Sequence, residues 1–176
     1  MTDQKGRILI FTGDGKGKTT AALGMALRAC GQGMRVKIIQ FIKADPAIGE
    51  VAAVRNLPGV ELIQTGLGFV PAEDHPDFLQ HREAAKRGIF LAEEAIRSGE
   101  YDLVILDELC NAVALHLLPE ERVAAVLHDI KPGRIIVLTG RGASESLMAL
   151  ADTVTIMSCR KHALESGRPA QKGVEY

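Results

Sequence analysis

Residues 7–20 read Arg-Ile-Leu-Ile-Phe-Thr-Gly-Asp-Gly-Lys-Gly-Lys-Thr-Thr. The apolar run RILIFT, residues 7–12, predicts a buried strand. The glycine-rich run behind it predicts a loop, with Gly-Lys-Thr opening a helix. That succession builds a triphosphate site. Glycines let backbone N–H groups crowd around phosphate oxygens, and the helix N-terminus adds a partial positive charge. The cradle is Gly13, Asp14, Gly15, Lys16, Gly17, Lys18, Thr19 and Thr20. Lys18 is spaced to reach the β- and γ-phosphates, and the Thr19 hydroxyl to ligate Mg²⁺. A bound nucleotide is the expectation.

The loop departs from the usual pattern. A Walker A motif puts four residues between its first Gly and the Gly-Lys pair. Counted back from Gly17-Lys18, that Gly falls at position 12, which is Thr12. Gly13 leaves only Asp14, Gly15 and Lys16 as spacer, so the loop is short by one residue and carries an extra cation at Lys16. It is either a drifted ATPase loop or one that holds a triphosphate in an unusual way.

Apolar runs recur along the chain. Strands are predicted at Ile8–Thr12, Val36–Phe41, Val60–Thr65, Leu103–Asp107, Ile135–Thr139 and Val154–Met157. Helices are predicted at Lys18–Gly31, Asp77–Ser98, Pro119–His128 and Ala143–Ala151. Gly31 and Gly33 stop the first helix, Ser98-Gly99 the second, and Pro119-Glu-Glu starts the third. The strands are dense in Val, Ile and Leu, as when both faces are covered. Alternating strands and helices predict an α/β fold: a single-domain, RecA-like P-loop fold over residues 1–176, with a mostly parallel sheet and helices on both faces. Ligands of such sheets bind outside the carboxyl ends of the strands. Residues 43–56 and 66–76 break periodicity and are expected to be functional loops. The polar tail from Arg160 is either a flexible end or a lid.

Tyr101–Glu108 reads YDLVILDE, an apolar strand ending in acids, as in a Walker B element that sets a carboxylate beside a nucleotide's Mg²⁺. At most one of Asp107 and Glu108 faces the metal; the other acts through water or orients Lys18 or Thr19. The two motifs belong to strands that can neighbour each other. Arg141, in Thr139-Gly140-Arg141-Gly142, either clamps a phosphate or carboxylate or is a solvated loop arginine. Phe69, flanked by glycines, is either core or a mobile apolar group over a ligand.

Composition narrows the classes. The chain has 176 residues, 47% of them hydrophobic, and a net charge of −1. No basic footprint for nucleic acid is present. No apolar run is long enough for a membrane span. The N-terminal MTDQKGR lacks a signal-peptide core, so a cytoplasmic protein is expected. The three cysteines, Cys30, Cys110 and Cys159, form no CxxC pair and are expected to be buried small hydrophobes. The five histidines show no metal-ligand spacing and are expected to be surface or satisfied core residues.

Several segments taken together resemble one family. GDGKGKTTAALGMALRA, IIQFIK (38–43), VILDEL (104–109), LTGRG (138–142), LADTVT (150–155) and AQKGVEY (170–176) are similar to the P-loop corrinoid adenosyltransferases, in matching order over nearly the whole chain. The short GxGKGKTT loop is characteristic of that family. The resemblance implies transfer of the 5′-deoxyadenosyl group of ATP to Co(I) of a reduced corrinoid, with release of tripolyphosphate, in adenosylcobalamin biosynthesis or salvage. The implied acceptor is cobalamin, cobinamide or an earlier cobyrinic acid diamide. Lys18, Glu108 and Phe69 are the implied catalytic positions, Gly13–Thr20 and Arg141 the nucleotide contacts, and Thr19 and Glu108 the Mg²⁺ positions. A homodimer and a flavoprotein electron donor are implied as well. Two departures stand out. Relatives carry a Gly-Phe-x-Trp pair thought to displace the corrinoid's lower ligand, and here Pro71 follows Phe69 where Trp is expected. Relatives also have an N-terminal arm, and this chain has about seven residues before its first strand. Two other readings remain at this point: a P-loop ATPase or phosphotransferase, and a non-catalytic module that binds ATP and a corrinoid.

Overall fold

A computed structural model describes residues 5–174. Residues 1–4 and 175–176, which belong to the N-terminal reading and to the last motif of the resemblance, lie outside the described residues. The strands are β1 (Arg7–Thr12), β2 (Val36–Gln40), β3 (Val60–Gln64), β4 (Leu103–Asp107), β5 (Ile135–Thr139) and β6 (Thr153–Ile156). The helices are α1 (Lys18–Gly31), α2 (Gly49–Val54), α3 (Phe78–Ser98), α4 (Leu109–Ala114), α5 (Glu120–His128) and α6 (Glu145–Ala149). The strands form one sheet in the order β3-β2-β4-β5-β1-β6, and every neighbouring pair is parallel.

Alternate strand residues face opposite layers, as the period of two requires. Ile10, Ile39, Leu106 and Leu138 pack with Ala85, Ile89 and Ala92 of α3 and with Val123 and Val126 of α5. Ile38, Ile105 and Val137 pack on the other side with Ala22, Ala26 and Ala29 of α1. Alanines at that spacing give α1 a smooth face that lies close on the sheet. The α/β expectation is met, with helices on both faces.

Three sequence expectations change. The 43–56 stretch contains α2, whose six residues GEVAAV are too few to show helical periodicity. Helix α4 follows Glu108 directly and is equally short. Strands β1 and β4 are not neighbours, because β5 lies between them. The parallel register brings the ends of β1, β2, β4 and β5 to one edge of the sheet. Among the described residues, no helix is long and apolar enough to cross a membrane.

Beyond β2 and β3 the two chain segments stay side by side. The N–H of Gly68 donates to the carbonyl of Ile42 at 2.8 Å. A Cβ on Gly66 would lie 2.1 Å from the Ile42 carbonyl carbon, and backbone cannot retreat as a side-chain tip can. Gly66→Ala is therefore expected to destabilise the protein by about 2 kcal/mol or more, in line with overpacking costs. Urea denaturation of the variant against the parent measures this.

Candidate active site

The glycine-rich loop is held from both ends. Gly17 takes φ 108° at the N-cap of α1, and no side chain caps the helix, so its first amides face the loop. The N–H of Gly15 donates to the carbonyl of Met157 at 2.7 Å, and the N–H of Met157 donates to Thr12 at 2.8 Å. A Cβ on Gly13 or Gly15 would come within 2.5 or 2.8 Å of that Met157 carbonyl. The segment behind β6 thus lies against the loop, and glycine is required there for close approach.

Lys18 is buried, and its ammonium donates to the carbonyls of Gly13 and Gly15, each at 2.7 Å. Its pKa is lowered by burial, with Arg141 and Lys16 acting in the same sense and Glu108 and Asp14 opposing. A cluster of cations that press on one another in this way favours an anion among them.

Asp107 is 1% exposed. Its Oδ1 accepts from the Thr19 hydroxyl and from the Thr139 hydroxyl, both at 2.7 Å, and its Oδ2 accepts from the Gln40 amide at 3.0 Å. The Lys43 ammonium stands 3.4 Å from Oδ2 and 2.8 Å from Oε1 of Glu50. Burial opposes charge on Lys43, but Asp107 and Glu50 override it and hold the ammonium above its ordinary pKa. Burial likewise pushes Glu50 up, and the Lys43 hydrogen bond outweighs it to leave the carboxyl below its ordinary value. The carboxylate that Thr19 touches is therefore Asp107. Glu108 sits at φ 62°, its N–H donates to the Thr139 hydroxyl at 2.9 Å, and burial followed by the Asp107 charge raises its carboxyl pKa.

A cavity of about 470 Å³ collects Asp14, Gly15, Lys16, Gly17, Lys18, Thr19 and Thr20 with Glu108 and Arg141. These are the residues that the sequence singles out, except Gly13, whose carbonyl holds Lys18 from beneath, and Phe69. Phe69 is 93% exposed, so it is not core. Its neighbour Gly68 borders a second cavity of about 590 Å³, walled by Ala44, Pro46 and Ile48. Lys43 and Glu50 line both cavities. Pro71 is half-buried and Val70 packs against the core.

The arrangement suits a polyphosphate with a hard divalent cation. The Thr19 proton is directed to Asp107, which leaves the hydroxyl lone pairs for a cation. Among the described residues no group of three or more His, Cys, Asp or Glu side chains could hold a metal by itself. Mg²⁺ keeps several waters and takes few protein oxygens beside substrate phosphates, so this donor set fits it.

The family model for ATP:corrinoid adenosyltransferase BtuR/CobO/CobP matches residues 4–176. The chain belongs to this family. The corrinoid adenosyltransferase of Escherichia coli (strain K12) is 38% identical over 179 residues, covering 99% of this chain and 87% of the relative. That of Pseudomonas aeruginosa is 39% identical over 176 residues, covering 99% and 85%. The flagellar accessory protein FlaH of Methanocaldococcus jannaschii shares the fold, with a TM-score of 0.56 at 12% identity over 88% of this chain and 71% of that one. Protein RecA of Clostridium botulinum is 29% identical over 156 residues, covering 88% of this chain and 36% of RecA.

In this adenosyltransferase-family chain, sequence reasoning missed Gln40, Lys43, Glu50 and Thr139. The signal was there: a glutamine inside the buried run VKIIQFIK has to have a buried partner. His162 and Val174 of the tail also line the first cavity, so the tail borders the site. The cysteines differ from expectation. Cys110 is buried, and its thiol pKa is pushed by burial up to about 12, but Cys30 is half-buried and Cys159 exposed.

Asp107→Asn turns an amide NH₂ toward groups that already donate. The expected loss is about 2 kcal/mol, or roughly 4–8 °C in Tm for a chain of this size. Glu108→Gln is expected to leave Tm unchanged or raise it at neutral pH. A raised carboxyl pKa means that ionised Glu108 costs stability, a cost that appears as pH rises through that pKa. Thermal melts at pH 5 and pH 7.5 test both.

Proposed function

We propose that this protein transfers the 5′-deoxyadenosyl group of ATP to Co(I) of a reduced corrinoid and releases tripolyphosphate, in adenosylcobalamin biosynthesis or salvage. What carries the reading is a cationic loop one residue short of the Walker pattern, in a chain of this family, lining a cavity that shares Lys43 and Glu50 with a second one. Residues 1–176 act as one domain in it.

Cobalt donates the electron pair of the new Co–C bond to C5′. The C5′–O bond breaks, and the triphosphate leaves with the electron pair of that C5′–O bond as cobalt goes formally from Co(I) to Co(III). No protein base is needed, and catalysis comes from positioning and from charge stabilisation on the leaving group. Lys18, Lys16, Arg141 and the amides of Gly13–Thr20 meet that charge. Thr19 and Glu108 would hold Mg²⁺, which supplies further neutralisation of the phosphates, and Asp107 keeps the Thr19 hydroxyl aimed. Phe69, exposed beside the second cavity, is the apolar group that faces the corrinoid and favours loss of its lower ligand. A homodimer and a flavoprotein electron donor complete the reading on the family resemblance.

The test is an anaerobic reaction with MgATP and chemically reduced cob(I)alamin, followed by the corrinoid spectrum. A light-sensitive Co–C product is expected, and ATP turnover with no corrinoid change would instead indicate an ATPase. Lys18→Ala is expected to lower the rate at least about 100-fold with its circular dichroism unchanged. Phe69→Ala is expected to slow reactions started from Co(II) with a reductant more than those started from Co(I). Equal losses in both would remove the activating role.

A further inference from the structure

Lys43 lies three residues beyond β2, with its side chain 29% exposed, between two carboxylates, one buried and one that lines both cavities. On one side is Asp107, at 3.4 Å, whose other oxygen takes the Thr19 and Thr139 hydroxyls. On the other is Glu50, at 2.8 Å, in the first turn of α2. A continuous path therefore runs from the second cavity through Glu50, Lys43 and Asp107 to Thr19 in the phosphate cavity.

Physical chemistry gives this path a direction. Asp107 is buried and accepts from Thr19, and Lys43 supplies the nearest formal charge of opposite sign. A divalent cation arriving at Thr19 offsets the Asp107 charge and repels the ammonium. The balance of Lys43 then moves toward Glu50, and the contact that fastens α2 strengthens. By reciprocity, a ligand that orders the 43–54 segment draws on the same ammonium and alters the phosphate site.

We propose that Lys43 is a positioning residue that couples occupation of the phosphate-and-metal site to the order of the 43–54 segment walling the second cavity. Its ammonium is not a phosphate ligand; it acts through Asp107 and Glu50. Which ligands fill the two cavities in turnover rests on the proposed function, but the coupling itself is read with MgATP alone.

The experiment combines hydrogen exchange with titration calorimetry on the full chain. In the parent, MgATP is expected to slow amide exchange of residues 49–54 by about fivefold or more, the lower end of usual coupling. Lys43→Met is expected to abolish that protection. It should also tighten MgATP binding about tenfold, because the ammonium no longer opposes the arriving cation, while changing ATP binding in EDTA less than about twofold, within the same range of coupling. Lys43→Arg, whose guanidinium fork can meet both carboxylates, is expected to restore both readouts. Glu50→Gln leaves Asp107 its partner, so it reports even if Lys43→Met does not fold; it too should abolish protection of 49–54.

Equal losses with Mg²⁺ and in EDTA would make Lys43 a direct phosphate contact and overturn the proposal. So would a parent that shows no protection, or a Lys43→Met variant that melts lower with protection and affinity unchanged. Coupling without any adenosyl product counts for this inference and against the proposed function. Product without coupling counts the other way.

Discussion

The site depends on one buried carboxylate. Asp107 ends β4 at 1% exposure, where an ionised group is tolerated only if nearly every lone pair is met. Its donors come from separate elements: Gln40 from β2, Thr139 from β5 and Thr19 from α1. Only a parallel register brings those ends together, so the sheet order and the chemistry of the loop are the same constraint. Because β5 separates β1 from β4, the Thr139 hydroxyl spans the gap that a direct pairing of the two motif strands would have closed.

The short loop is shaped by what lies against it as much as by what it holds. Met157 accepts from Gly15 at 2.7 Å and leaves no room for a Cβ at Gly13 or Gly15. This ties the loop to β6 and to the tail that brings His162 and Val174 to the cavity. Lys18 spans the loop from beneath through two carbonyls, which fixes its ammonium within the loop.

Much of this was legible in the chain. Apolar runs bounded by glycine and proline located all six strands and helices α1, α3, α5 and α6 to within a few residues. The family resemblance was likewise present in the motifs and their order. What was not legible has physical causes. Helices of six residues, such as α2 and α4, complete too few turns to show a period of 3.6. Strand order follows from crossovers that no local pattern encodes, which hid β5 between β1 and β4. The choice between Asp107 and Glu108 as partner of Thr19 turns on a left-handed residue at 108, and glutamate gives no local signal of that conformation. Lys43 and Glu50 meet because α2 folds back against the sheet at β3, a tertiary event.

The central claim is that the site releases the triphosphate of ATP whole, with displacement at C5′ rather than at the γ-phosphorus. A single-turnover reaction with limiting cob(I)alamin, quenched and examined by ³¹P NMR, tests it directly. The account predicts inorganic tripolyphosphate in equimolar amount to adenosylated corrinoid. ADP and orthophosphate in that amount would contradict it.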